Sequence, residues 1–469
     1  MNHPLHEHEP DRPSERRARS RWWAAGLAGM TGLALTAVGV AVGPAADAVG
    51  RSLASAEGRP ETLDRPSADD DRGKRDDKGK GKDDGKGKKD KGTKGKKPKG
   101  TPVPCDTDAL IAAITLANAR DGAVLDLAKD CTYLLTANID GAGLPSIASP
   151  ITLNGGKHTT IKRAAAADQF RILTVGVGGD LTLNHLKITG GQTSDRGAGI
   201  FVDAGGALTV NHSTITRNIT GSAGGGINNF GITRVRHSTV SHNTAGSDGG
   251  GITSTAILEI SKSHISANAA NLGAGVSGAG GTVRIEHSTI TANHARNSAG
   301  GLFVDSGVGI VTDTYITDNT APESGGIFVN SSAQLAIRYG TLVGNTASTG
   351  NGGGLGINTN AAVVVEDSLV KDNTAATDGG GIYSAADLVL RHTKIIGNQA
   401  GGQGGGIFNE ATGVAALFAT KVFKNIAVSD DGGGGIFNNG GTVELNTATG
   451  TVVVKNRPNN CVNVPSCAG

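Results

Sequence analysis

The chain has 469 residues, of which 74 are glycine, about twice the usual share, with no Gly-X-Y period, so a collagen-like rod is excluded. Aromatics make up 3% and both tryptophans, Trp22 and Trp23, lie near the start, which argues against an ordinary globular enzyme core. The net charge of +2 is unevenly spread: +6 over residues 59–100 and −4 over residues 101–469, so the part able to fold is mildly acidic.

Residues 1–48 read as an export segment. Arg16, Arg17, Arg19 and Arg21 precede an apolar run from Trp22 to Gly43, and Ala46-Asp47-Ala48 is a small-x-small cleavage site. An uncleaved membrane anchor is the other reading, since the run is about long enough to span a bilayer. Either way the rest of the chain is expected outside the cytoplasm, secreted or at the cell surface. A membrane partner is expected only through an uncleaved segment.

Residues 49–102 read as a disordered linker dominated by Lys, Asp and Gly. No apolar residue occurs between Gly73 and Lys97, so nothing there offsets the entropy of ordering. Its lysines alternate with aspartates and lack aromatic neighbours, so nucleic acid is not expected as a partner.

Residues 103–469 carry an internal repeat. Asparagine recurs at Asn218, Asn243, Asn268, Asn293, Asn319, Asn345, Asn373, Asn398 and Asn425, at gaps of 25 to 28 residues. An aliphatic stands three residues before each, and a small residue, usually Ala, two residues after most of them. Between units lies a glycine cluster ending in an aliphatic, as in Gly224-Gly225-Gly226-Ile227. A short alternating run such as Leu208-Thr209-Val210 fills the middle. Three period-2 segments and three turns in about 26 residues exclude helical repeats, which need longer amphipathic runs. One unit cannot bury its aliphatics alone, whereas stacked units can. The pattern predicts an all-β fold: a right-handed parallel β-helix of about ten or more coils, with three parallel sheets around a narrow core. The recurrent Asn fits an inward amide ladder at a corner.

Both ends fit this picture. Leu110, Ile111, Ile114 and Ala117 predict a short amphipathic helix over 108–118, suited to covering the first coil. The four cysteines fall in local pairs at the two ends. In an exported chain, Cys105–Cys131 and Cys461–Cys467 are the natural pairing among three connectivities, acting as staples on the ends.

The GGGI step, the I-x-x-N step and an N-terminal block with Gly143-Leu144-Pro145, Phe170-Arg171-Ile172-Leu173 and Leu181-Thr182-Leu183 resemble exported right-handed parallel β-helix proteins of the pectate-lyase-like superfamily. The repeats are similar to those of polymorphic outer-membrane protein and adhesin families. The resemblance spans about residues 103–460. It implies the fold, and it leaves lyases, hydrolases, adhesins and surface spacers open.

Candidate site residues come from the strand after the glycine cluster. If its aliphatic points inward, Phe201, Phe303, Phe328, Tyr383, Phe408 and Phe437 point outward, beside Asp248, Glu323, Asp378, Asp430 and Asp431 in the preceding turn. Such a stripe suits an extended glycan. The plainer reading is aromatic stacking on a sheet surface. Glu323 and Asp378, two coils apart, are the candidates for a hydrolytic carboxylate pair. No cofactor is expected, and Ca²⁺ enters only under the lyase alternative. His212, His237, His287 and His392 share one repeat position with Lys262, Asp313, Tyr339, Asp367 and Ala419. That variety reads as a solvated turn, and no metal is expected there. The expected role is binding or adhesion to a polysaccharide or a cell-surface component, with a polysaccharide lyase or glycoside hydrolase, and then a structural spacer, as alternatives.

Overall fold

The computed structural model describes residues 100–467. The expected export segment and nearly all of the expected linker lie outside the described residues. Those described form a parallel β-solenoid of about 14 coils, opened by one short helix.

The helix, α1 (Thr107–Ala119), starts where Asp106 accepts the Ala109 N–H at 2.7 Å, a side-chain cap for an otherwise unpaired donor. It buries Leu110, Ile114 and Ala117 over the first coils. The disulfide Cys105–Cys131 ties the segment before α1 to the first coils, and Cys461–Cys467 closes the last turn.

Each full coil visits four parallel sheets, of 14, 13, 10 and 12 strands. One coil runs Ala207–Asn211, Thr214–Thr216, Ile219–Thr220, then Ile227–Asn229. Leu208, Val210, Ile215 and Ile227 all point inward and are fully buried. Stacking is in register, so Ile215 lies over Val240 and Ile227 over Ile252, and like packs on like along one continuous core.

The expectation of three sheets needs correction. The small residue after each ladder Asn is not part of a turn. It is the inward residue of a short strand, two residues long in most coils, as in Thr244–Ala245 and Thr320–Ala321, and these strands make the fourth sheet. Ala245, Ala270, Ala295 and Ala321, with Ala274, form their own small buried cluster beside the main core. Two-residue strands carry too little alternation to be seen as strands in sequence.

The glycine clusters follow from how close the coils come. Gly224 has a φ of +73°. A Cβ on Gly225 would lie 2.5 Å from the Gly250 carbonyl oxygen of the next coil, so no side chain fits.

The recurrent asparagines are fully buried at the corner after the 13-stranded sheet. The Asn268 backbone N–H and Nδ2 both donate to Asn293 Oδ1 at 3.0 Å, and Nδ2 also donates to the Val240 carbonyl at 3.0 Å. The same set repeats from Asn218 to Asn425 and on to Asn456. Each amide thereby satisfies groups that would otherwise be buried unpaired. Asn456 escapes the sequence period because Thr447–Thr449 forms an inserted 3₁₀ turn, although Val453 stands three residues before it in the usual place. A hydroxyl ladder also went unseen: Ser213, Ser238, Ser263 and Ser288 each accept a backbone N–H from the coil before.

Candidate functional site

The outward positions of the 12-stranded sheet form one column in strict register: Phe201, Asn228, Thr253, Ser277, Phe303, Phe328, Gly356, Tyr383, Phe408 and Phe437. All the sequence-derived stripe residues sit in this column. It is not an open aromatic platform, however. Tyr383, Phe408 and Phe437 stack face to face at 5.4 Å between centroids, and Phe303 stacks on Phe328 at 5.9 Å. Phe303, Phe408 and Phe437 are only 6%, 4% and 8% exposed. The ring faces are consumed by coil-to-coil stacking, so a sugar cannot lie flat on them. Phe328 and Tyr383, which flank the side-chain gap at Gly356, are the less buried members of the two stacks.

Polar residues edge the column on both sides. The preceding turn supplies a row that runs through Asp248, Glu323, Asn351, Asp378 and Gln403, its coils tied by backbone bonds such as Ser324 N–H to Asn351 O and Gly352 N–H to Asp378 O. The residue two places past the aromatic position supplies the second row, with Asp305, Asn330, Asn358, Glu410 and Asn439. There Asn330 donates to Asp305, Asn358 to Asn330, and Asn439 to Glu410, at 2.8–2.9 Å.

The rows converge electrostatically at Tyr383. Its hydroxyl donates to Glu410 Oε2 at 2.9 Å. Burial first, then Glu410, Asp378 and Glu323, push its ionisation well above the usual tyrosine range. Burial also raises the carboxyls of Glu323 and Asp378; for Asp378 the Gln403 N–H opposes that shift and Glu410 adds to it. The Glu323 side chain runs along the solenoid axis over Gly350, in the following coil. Among the described residues, no Lys or Arg pairs with Glu323, Asp378 or Glu410. Asp248, farther along, is likewise raised by burial and by Asp305. Asp430 and Asp431 lie in the turn before Phe437, where Asp431 accepts from the Ser429 hydroxyl at 2.6 Å.

Glu323 and Asp378 stand two coils apart in one row, roughly 10 Å at the usual strand spacing. That exceeds the separation of about 6.5–9.5 Å that an inverting carboxylate pair needs. Glu410 and the asparagine row are the residues that sequence reasoning missed. The visible signal was a polar residue two places after Phe303, Phe328, Phe408 and Phe437, which Ala385 interrupts after Tyr383. Among the described residues, no group of three or more His, Cys, Asp or Glu side chains is arranged to hold a metal ion, and no helix is long and apolar enough to cross a membrane.

The fold and this two-row face define the class: a long parallel β-solenoid with one acidic, amide-rich outer face. Comparison with protein-family models, with curated proteins and with solved structures gives no match.

Proposed function

We propose that this chain is an exported binding protein whose solenoid holds an extended polysaccharide, or a comparable surface component, along the outer face of the 12-stranded sheet. The observation that carries the reading is the convergence of Glu410, Asp378 and Glu323 on Tyr383, with no basic side chain among the described residues paired to these carboxylates. Carboxylates and amides in two parallel rows are hydrogen-bonding groups matched to a chain of hydroxyls. The buried stack beneath them fixes their spacing. Recognition here rests on rim hydrogen bonds and on the edges of Phe328 and Tyr383, not on stacking of sugar faces.

Two disulfides suit an oxidising compartment. With the export segment or membrane anchor expected over residues 1–48, they support a secreted or surface location, with residues 49–102 as a spacer.

Binding is favoured over hydrolysis on a physical ground. Two-carboxylate hydrolysis needs one group kept protonated and its partner kept ionised. Burial pushes Glu323 and Asp378 in the same direction. The test is retention of the protein on immobilised polysaccharides, comparing wild type with Tyr383→Phe plus Glu410→Gln. Retention that falls at least tenfold in the variant, with unchanged unfolding, supports the reading. Equal retention of both proteins removes the site.

A further inference from the structure

A second face, independent of the acidic one, lies at the corner between the 14- and 13-stranded sheets. The second residue before each 13-stranded-sheet strand but one occupies a left-handed backbone position there, with φ between 44° and 58°. In chain order this position holds Asp130, His158, His185, His212, His237, Lys262, His287 and then Asp313. Asn, Asp and His tolerate this conformation better than other side chains do. The same position holds Tyr339 and Ala419 in later coils, so the backbone does not demand imidazole. Four histidines in four successive coils therefore ask for another explanation than the turn.

The side chains line up. His185 stacks on His212 at 5.0 Å and His212 on His237 at 4.9 Å, the latter pair with parallel planes. His158, His185 and His212 share an open depression with Lys129, Lys157 and Lys187. The imidazoles are exposed, as are Lys129 and Lys157. The acids that face the row are few. Asp130 lies 3.0 Å from His158 Nδ1 at one end and Asp313 lies 3.7 Å from His287 Nε2 at the other, and Asp126 accepts from Asn154 at 2.8 Å. The neighbouring outer ladder, in which Asn211 donates to Asn184 and Asn184 to Asn154, adds no charge beside His158, His185 and His212, and continues into Arg236, Ser261 and Glu286. From His158 to His287 the row covers six coils, about 24 Å at the usual strand spacing. On a domain of net charge −4, Lys129, Lys157 and Lys187 gather positive charge beside this imidazole row.

We propose that this corner is a binding site for a linear polymer bearing repeated oxyanions, which lies along the solenoid axis with its anionic groups on the imidazole–lysine row. A strip of one sign raises the local concentration of counter-charged ligand, and the stacked coils give it a repeat of about 5 Å.

The test uses the full chain, with inorganic polyphosphate, dextran sulfate and polygalacturonate as separate probes that distinguish phosphate, sulfate and carboxylate sources. The lysine-rich segment before residue 100 is present in every protein compared, so differences report on the corner. Lys129→Gln, Lys157→Gln and Lys187→Gln together are expected to weaken binding of at least one probe tenfold or more. His185→Asn, His212→Asn and His237→Asn together keep a residue suited to the left-handed turn, and are expected to weaken it severalfold. Affinities within twofold of wild type for both variants, with unchanged unfolding midpoints, overturn the proposal. Carbethoxylation of wild-type histidines, read by mass spectrometry, needs no variant. The bound probe is expected to protect His185, His212 and His237 but not His392. Equal modification with and without every probe overturns the proposal.

Discussion

Replacing Asn293 by Leu tests the amide ladder at its centre. Asn293 Oδ1 accepts both the Asn268 backbone N–H and Asn268 Nδ2, while Asn293 Nδ2 donates to Asn319 Oδ1 and to the Ile265 carbonyl. Leucine leaves the Asn268 N–H, one Asn268 Nδ2 proton and the Ile265 carbonyl unpaired. All lie where water does not reach, since Asn268 and Asn293 are each 1% exposed. At about 1–3 kcal/mol for each of these three stranded groups, the loss is about 3–9 kcal/mol. The corner is also tight: a Cβ at Gly275 would stand 3.0 Å from Asn293 Nδ2, so the branched side chain adds to the strain. The assay is urea unfolding followed by tyrosine emission or far-UV circular dichroism, with hydrogen exchange at Asn268 as a local readout. Asn211→Leu is the control, because Asn211 belongs to the partly exposed outer ladder and donates one side-chain bond. Its cost is expected to stay under about 1 kcal/mol. An Asn293→Leu chain within about 0.5 kcal/mol of wild type, the ordinary scale for surface changes, would refute the ladder's energetic role.

Three further outcomes are expected. Cys105→Ser with Cys131→Ser is expected to lower stability by about 3 kcal/mol, the usual scale for releasing a loop of this length; the measurement is the unfolding midpoint, and an unchanged value contradicts the staple role. Burial raises the folded-state pKa of Glu323 above its unfolded value, so the group's contribution is fully present below the unfolded pKa and is lost as pH rises through the folded one. Glu323→Gln is therefore expected to gain stability relative to wild type between pH 4 and pH 8, and a pH-independent difference in melting temperature contradicts this. Tyr383→Phe alone removes the hydrogen bond to Glu410 and is expected to weaken ligand retention severalfold with little effect on unfolding; loss of the fold instead would make the hydroxyl structural.

The solenoid was legible because its signals repeat. Every unit places an aliphatic three residues before a buried Asn, and each such pair restates the same corner. The fourth sheet was not legible, since Thr244–Ala245 and most of its copies are two residues long and look like turn. The outward placement of Phe303, Phe328, Tyr383, Phe408 and Phe437 followed from strand alternation. Their burial did not, because it depends on how closely consecutive coils stack and on the turn that folds beside them. The convergence of Glu410 on Tyr383 joins residues 27 apart in sequence on neighbouring coils. It needs the coil register, which the insertions between repeats obscure. His158 and His185 escaped the column of histidines because the Asn period that revealed it starts at Asn218.

The measurement that bears most directly on the proposed role is a single incubation of the purified chain with a panel of neutral and anionic polysaccharides, with and without Ca²⁺. The same tubes are scored for co-sedimentation and for new chain ends. Co-sedimentation with at least one neutral polysaccharide, without new ends, is the predicted result. New ends would contradict it and make Glu323, Asp378 and Glu410 the first residues to test for catalysis, and absence of both signals would contradict polysaccharide binding itself.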